Sequence, residues 1–172
     1  MTLSLDHLWA GWRAGYVATF GTEAPGEPAG DCECIFCAII ASKAPDRERL
    51  VVWSGQSVVA ILNAYPYATG HVMVMPRRHV RRLDELTAEE SAELWSSLGA
   101  AVKVIEAAYA PDGCNLGANL GRAAGAGIPG HLHLHAVPRW IGDTNFMTSL
   151  AGVRVLPEPI EATWEKLQAA WH

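Results

Sequence analysis

The segment "HLHLHAVPRW" (131–140) sets three of the chain's seven histidines, His131, His133 and His135, at alternate positions with leucines between them. Strict alternation over a short run is the pattern of a β-strand, in which residues i, i+2 and i+4 share a face. The three imidazoles then project together, and Leu132, Leu134 and Ala136 face a core. At about 3.3 Å per residue, the backbones of His131 and His135 stand about 13 Å apart, too far for both to reach one metal ion easily. The set is therefore not simply a three-histidine zinc site. Neighbouring pairs can share a metal, but the three rings must divide their labour. Imidazole is a nucleophile near neutral pH, bonds to phosphorus through nitrogen, and serves as acid or base. The preceding loop "GRAAGAGIPG" (121–130) is rich in glycine, whose N–H groups can hold oxyanions, although it lacks the Gly-Lys-Ser/Thr ending of a P-loop. A row of imidazoles beside such a loop points to phosphoryl or nucleotidyl transfer.

Working outward, "LVVWSGQSVVAILN" reads as two β runs, 50–53 and 57–62, joined by a Ser-Gly turn, and "GHVMVMP" (70–76) as a third strand that Pro76 ends. Thr87 and Glu90 make a capping box. Leu94, Leu98, Ala101, Val102, Ile105 and Tyr109 then recur at helical spacing until "PDG", which predicts a helix over 87–110. "CNLGANL" (114–120) is a fourth strand and residues 131–138 a fifth. Ile160, Trp164, Leu167 and Trp171 share one face of a short C-terminal helix. Short strands in hairpin order with one long helix predict an α+β fold on an antiparallel sheet.

A chain of 172 residues, half of them hydrophobic and 18% charged, has the length and composition of one compact domain. The net charge of −5 supplies no global field for nucleic acid or an anionic membrane, so an anionic substrate needs a local site. No apolar run approaches the roughly 20 residues of a membrane span. The N-terminal run carries Asp6 and Arg13 and lacks a secretory pattern. The expectation is a cytoplasmic, reducing location, in which cysteines suggest metal before disulfides.

"HLHLHAV" resembles the HφHφHφφ signature of the histidine triad (HIT) family of nucleotide hydrolases and transferases. "NAYPYATGHVMVMPRRHV" (63–80) resembles that family's N-x-x-P-x-x-x-G-H segment, and "VPRWIGDTNFM" (137–147) the form in its dinucleoside tetraphosphate phosphorylases and hydrolases. The likeness covers about residues 32–171, which divides the chain into an N-terminal extension and linker (1–31) and a HIT domain (32–172). It implies a HIT-like α+β fold, a five-stranded antiparallel sheet with one long helix and a C-terminal helix, assembled as a homodimer. It also implies that His133 is the nucleophile that takes up AMP. His135 would bond the phosphate or leaving group, steadied by His71. Asn63 would meet the ribose and Asn119 the phosphates. Many members carry Gln, Ser or Thr four residues before the first triad histidine, where this chain has Gly127; backbone N–H groups of the loop, Gly127 and Ile128 included, would replace that side chain. Trp140 would stack on a base or pack at a dimer seam.

Cys34 and Cys37 form a CxxC, and two thiolates need two further ligands for tetrahedral zinc. The alternative is a pair of reduced cysteines packed beside Ile35 and Phe36. HIT members with an N-terminal CxxC resemble this chain in carrying histidines at the positions of His79 and His131, which implies a structural zinc on Cys34, Cys37, His79 and His131. Cys32 is a competing ligand, and Cys114 reads as core. The arginines of "RRHVRR" (77–82) read as a solvated cluster. The implied activity is cleavage of dinucleoside polyphosphates, diadenosine tetraphosphate foremost, with inorganic phosphate or water as acceptor. A nucleoside phosphoramidase or nucleotidyltransferase, and a silent zinc-stabilised nucleotide-binding module, are the alternatives.

Overall fold

The computed structural model describes residues 34–143 and 157–171. The extension and linker expected over 1–31, and Cys32, lie outside these residues. The order is α1 (Ile35–Ala41), β1 (Val51–Ser54), β2 (Val58–Leu62), β3 (Val72–Pro76), α2 (Ala88–Tyr109), β4 (Gly113–Gly117), β5 (Leu134–Arg139) and α3 (Ile160–Ala170). The five strands form one antiparallel sheet ordered β1-β2-β3-β5-β4, as expected. No described helix is long and apolar enough to cross a membrane.

Both faces of the sheet are covered. Val58, Ala60 and Leu62 of β2, Val72 and Val74 of β3, and Leu134 and Ala136 of β5 pack with Leu94, Leu98, Ala101 and Ile105 of α2 and Leu167 of α3. Val51, Val59, Ile61, Met73 and Met75 point the other way and meet Cys34 and Phe36 at the start of α1. β2 and β3 are consequently buried at every position, which is why they read as continuous apolar runs.

α2 starts as the sequence indicates: Thr87 Oγ1 accepts from Glu90 N and the Glu90 carboxylate accepts from Thr87 N. Glu90 also accepts from Arg78 Nε at 2.9 Å and Nη2 at 2.7 Å, and the guanidinium bond with the Thr87 N–H holds its carboxyl down to about 2. Elsewhere in the arginine cluster, Arg77 Nε donates to Gly55 O and Arg82 pairs with Asp84 at the surface. α3 docks through Leu167, through Trp164 Nε1 donating to Val51 O at 2.8 Å, and through Trp171 stacked on Trp53.

Besides shifts of one or two residues at the ends of the other elements, three features differ from the sequence reading. The CxxC opens a helix, α1, that no periodicity announces. β4 ends at Gly117 rather than at 120. β5 begins at Leu134 and not at His131. Pro76 has no N–H to continue the β3 ladder, its carbonyl accepts from the His131 side chain, and Leu132 N donates to Val80 O at 2.6 Å. His131 and His133 keep the alternation in the segment before the strand, where Leu132 packs in the same core as Leu134 and Ala136. Cys114 is half-buried against the core.

Candidate active site

The three histidines emerge on one face, all buried. Each has one ring nitrogen committed to a neighbour, and those neighbours fix the tautomers: Nδ1–H in His133, Nε2–H in His131 and His135. His133 Nδ1 lies 2.8 Å from His131 O; a carbonyl only accepts, so Nδ1 carries the proton and Nε2 keeps a bare lone pair. His131 Nε2 lies 2.8 Å from Pro76 O, so its proton is on Nε2 and Nδ1 is bare. His135 Nδ1 lies 2.9 Å from His71 Nε2. His71 Nδ1 receives the Tyr67 N–H at 3.1 Å and faces the Asn63 amide nitrogen at 3.3 Å, so the His71 proton sits on Nε2 and is donated to His135. Neutral His135 must then carry its own proton on Nε2.

Burial favours the neutral forms. It lowers the pKa of His131 and of His133, in each case against a hydrogen bond to a carbonyl that opposes the shift. Burial, with the neighbouring His133, takes His135 down to about 4. The rings are packed as well as bonded. Phe36 of α1 meets His133 edge-on at 5.1 Å and His131 at 5.6 Å, and Tyr67 lies 4.7 Å from His71 and 5.9 Å from His135. Gly70 explains the Gly-His pair: it sits at φ +83°, and a Cβ there would meet the Tyr109 ring at 3.1 Å.

His131 turns away from this group. Its bare Nδ1 is 3.4 Å from Cys34 Sγ and 3.5 Å from Cys37 Sγ, and Cys37 Sγ is 3.2 Å from His79 Nδ1. The ligand atoms of Cys34, Cys37, His79 and His131 all lie within 4.8 Å of one another, so this Cys2His2 cluster can bind a metal. Two sulfurs and two imidazole nitrogens are a donor set that tetrahedral zinc takes.

A cavity of about 940 Å³ opens beside His135, walled by residues 115–119, by Tyr67, Thr69 and Tyr109, and by Arg139, Trp140, Glu158 and Lys166. Asn119 and Trp140 thus lie on one space with His135. Asn63 lies at the other end of His71: its Oδ1 accepts from Tyr65 N, and it lines a small separate cavity with Thr69. Gly127 is exposed in the loop, while Ile128 packs against the Phe36 cluster. The sequence reading missed Phe36 as a ring support, and Tyr67 and Thr69 altogether. In "NAYPYATGH" only Asn63, Gly70 and His71 carry a spacing signal; the roles of Tyr67 and Thr69 depend on how the loop folds back over His71.

An antiparallel five-stranded sheet with three buried, differently bonded histidines on its inner strand β5 and the segment leading into it defines a histidine triad protein. The HIT domain model matches residues 45–140, and the chain belongs to the HIT family. It is 40% identical over 167 residues to the AP-4-A phosphorylase of Mycobacterium tuberculosis, spanning 97% of this chain and 85% of that one. It is 39% identical over 80 residues to the asymmetrical bis(5'-nucleosyl)-tetraphosphatase of Schizosaccharomyces pombe, 46% of this chain and 43% of that one. Among solved structures, a Zn-bound histidine triad family protein from Mycobacterium smegmatis superposes with a TM-score of 0.66 at 29% identity, over 83% of this chain and 95% of that one.

Proposed function

We propose that this protein cleaves dinucleoside polyphosphates, diadenosine tetraphosphate above all, by phosphorolysis through a nucleotidyl-histidine intermediate. The observation that carries the reading is the tautomer of His133: with Nδ1–H held by His131 O, the bare Nε2 is available to attack without first losing a proton. His133 Nε2 forms a bond to an α-phosphorus, the bond to the bridging oxygen breaks, and ATP leaves with the electron pair. Inorganic phosphate then attacks the AMP-histidine phosphorus, releasing ADP and restoring His133. His135 Nε2–H, oriented by His71, bonds the oxygens on which charge develops, together with N–H groups of the 121–130 loop at Gly127 and Ile128. Asn63 contacts the ribose, Asn119 the phosphates, and Trp140 a base. The likeness to AP-4-A phosphorylase across nearly the whole chain supports phosphate as acceptor.

Cys34, Cys37, His79 and His131 hold a structural zinc in this reading, and a reducing cytoplasm suits their thiols. Among the described residues β4 is an edge strand of the sheet, with Leu116 53% exposed, which suits a homodimer. The test is product analysis of diadenosine tetraphosphate with and without inorganic phosphate. ADP and ATP formed only with phosphate are expected. AMP and ATP formed in water alone would mean hydrolysis, and unimpaired turnover by His133→Ala would remove the intermediate.

A further inference from the structure

The four residues of the cysteine and histidine cluster are not held alike. Cys34 and Cys37 are the N-cap and the third residue of α1. His131 has its outer ring nitrogen, Nε2, on Pro76 O at 2.8 Å, the kind of partner that fixes the tautomer and orientation of a ligating imidazole. His79 lies half-buried in the segment 77–87, which joins β3 to α2, and its Nε2 has no hydrogen-bond partner among the described residues. Its ring meets Cys37 Sγ through Nδ1 and His131 edge-on, so its direction depends on how the backbone on either side is tied.

Both sides are tied. After His79, Val80 is buried in the core and its carbonyl accepts from Leu132 N at 2.6 Å, which joins this segment to the one that carries His131. Before it, Arg78 Nε donates to Glu90 Oε1 at 2.9 Å and Nη2 to Glu90 Oε2 at 2.7 Å, while Nη2 also reaches Glu85 O at 2.7 Å. Half of the Arg78 side chain is exposed, but its partner is buried: Glu90 stands on α2, and its Oε2 also accepts from Thr87 N at 2.9 Å. The carboxylate is thus held by the helix cap on one side and by the guanidinium on the other. A planar guanidinium on a carboxylate fixes angle as well as distance, which an ammonium does not. Arg82 offers the contrast, since it pairs only with Asp84 at the surface.

Resting on the zinc reading above, we propose that Arg78 is a positioning residue for the metal site: its paired hydrogen bonds to Glu90 anchor the backbone at His79 to α2 and hold the imidazole where Nδ1 completes the set with Cys34, Cys37 and His131. Arg78 acts through His79 and touches neither metal nor substrate. The first turn of α2 is thereby coupled to zinc retention.

Zinc release separates this role from general stability. The zinc-loaded full chain is mixed with excess coloured chelator, and release is timed for the wild type, Arg78→Met, Arg78→Lys and Thr87→Ala, with urea unfolding of each alongside. Arg78→Met keeps the stem and removes the fork. It is expected to release zinc about tenfold faster than the wild type, the low end of what losing an outer partner costs in metal affinity. Arg78→Lys keeps the charge without the paired geometry and should fall between the two. Thr87→Ala weakens the α2 cap but leaves the pair of Arg78 and Glu90, so its urea midpoint should drop while release stays within about twofold of the wild type. Wild-type release rates in both Arg78 variants, or release from Thr87→Ala as fast as from Arg78→Met, would overturn the positioning role and leave the zinc site standing. Where Arg78→Met yields no folded protein, Arg78→Lys decides alone. A wild type that takes up no zinc would overturn this role together with the zinc reading.

Discussion

His71 Nε2 stands 2.9 Å from His135 Nδ1, and the direction of that hydrogen bond is set outside the pair, by the Tyr67 N–H that occupies His71 Nδ1. A backbone donor in the 63–70 loop thereby decides which nitrogen of a buried histidine on β5 carries the proton. Replacing His71 by Phe keeps the ring but ends the relay. His135 is then free to take either tautomer. We expect turnover of diadenosine tetraphosphate to fall about 10- to 100-fold with little change in KM for inorganic phosphate, because the loss falls on a donor oriented toward developing charge. Steady-state kinetics on folded variant protein checks this, and unchanged kcat would show that the relay does not matter.

The same burial predicts a dependence of stability on pH. His135 has its pKa lowered to about 4, below the ordinary value of about 6.5. Between these values the unfolded chain binds the proton and the folded one does not, so stability is full above about pH 6.5 and declines as the pH falls toward 4. Urea denaturation at pH 7 and pH 5 should show the wild type losing on the order of 1–2 kcal/mol more than His135→Gln over that step. Equal losses in the two proteins would refute it.

Gly55 predicts a purely structural effect. A Cβ there would stand 2.1 Å from Glu93 Oε1 and 2.4 Å from the Trp53 ring. The Glu93 carboxylate accepts from Gln56 N and Ser57 N at 2.8 and 2.9 Å, and so ties the β1–β2 turn to α2. Gly55→Ala forces that carboxylate away and is expected to cost about 1–3 kcal/mol in thermal or urea unfolding. Activity per folded molecule should stay at the wild-type level, since the turn contributes no side chain to the proposed site.

Ala110 predicts a gain. It caps α2 in the left-handed region, φ 44° and ψ 54°, where a side chain is disfavoured and glycine is the common residue. Ala110→Gly is expected to stabilise the protein by about 0.5–1 kcal/mol, read as a higher urea midpoint with unchanged slope.

How far these features were legible follows from where their signals lie. The capping box and the 3.6-residue pattern of α2 are local, and so is the alternation of the histidines, so the fold class and the grouping of His131, His133 and His135 could be read directly. α1 could not: "IFCAIIA" is apolar at buried and exposed positions alike, with Phe36 buried and Ile35 56% exposed, and seven residues show no period. The start of β5 was displaced by a missing N–H on Pro76, a residue of another strand. Thr69 has no pattern at all. Its burial with an unpaired hydroxyl exists only after the loop closes over His71.

The cysteine cluster gives the last prediction, because it bears on the nucleophile as well as on the fold. His131 offers Nδ1 to Cys34 and Cys37, while its carbonyl holds His133 Nδ1–H and Phe36 between the two cysteines packs on both rings. With zinc in this site, purified protein should contain one metal per chain by elemental analysis. Cys37→Ser should lose it, and structural zinc contributes directly to folding free energy, so its melting temperature should drop by several degrees or more. The drop should be matched by chelation of the wild type and reversed by adding zinc back, whereas Cys114→Ser, on the far strand β4, should keep the metal. Stoichiometric metal retained by Cys37→Ser would show that these four residues are not its ligands.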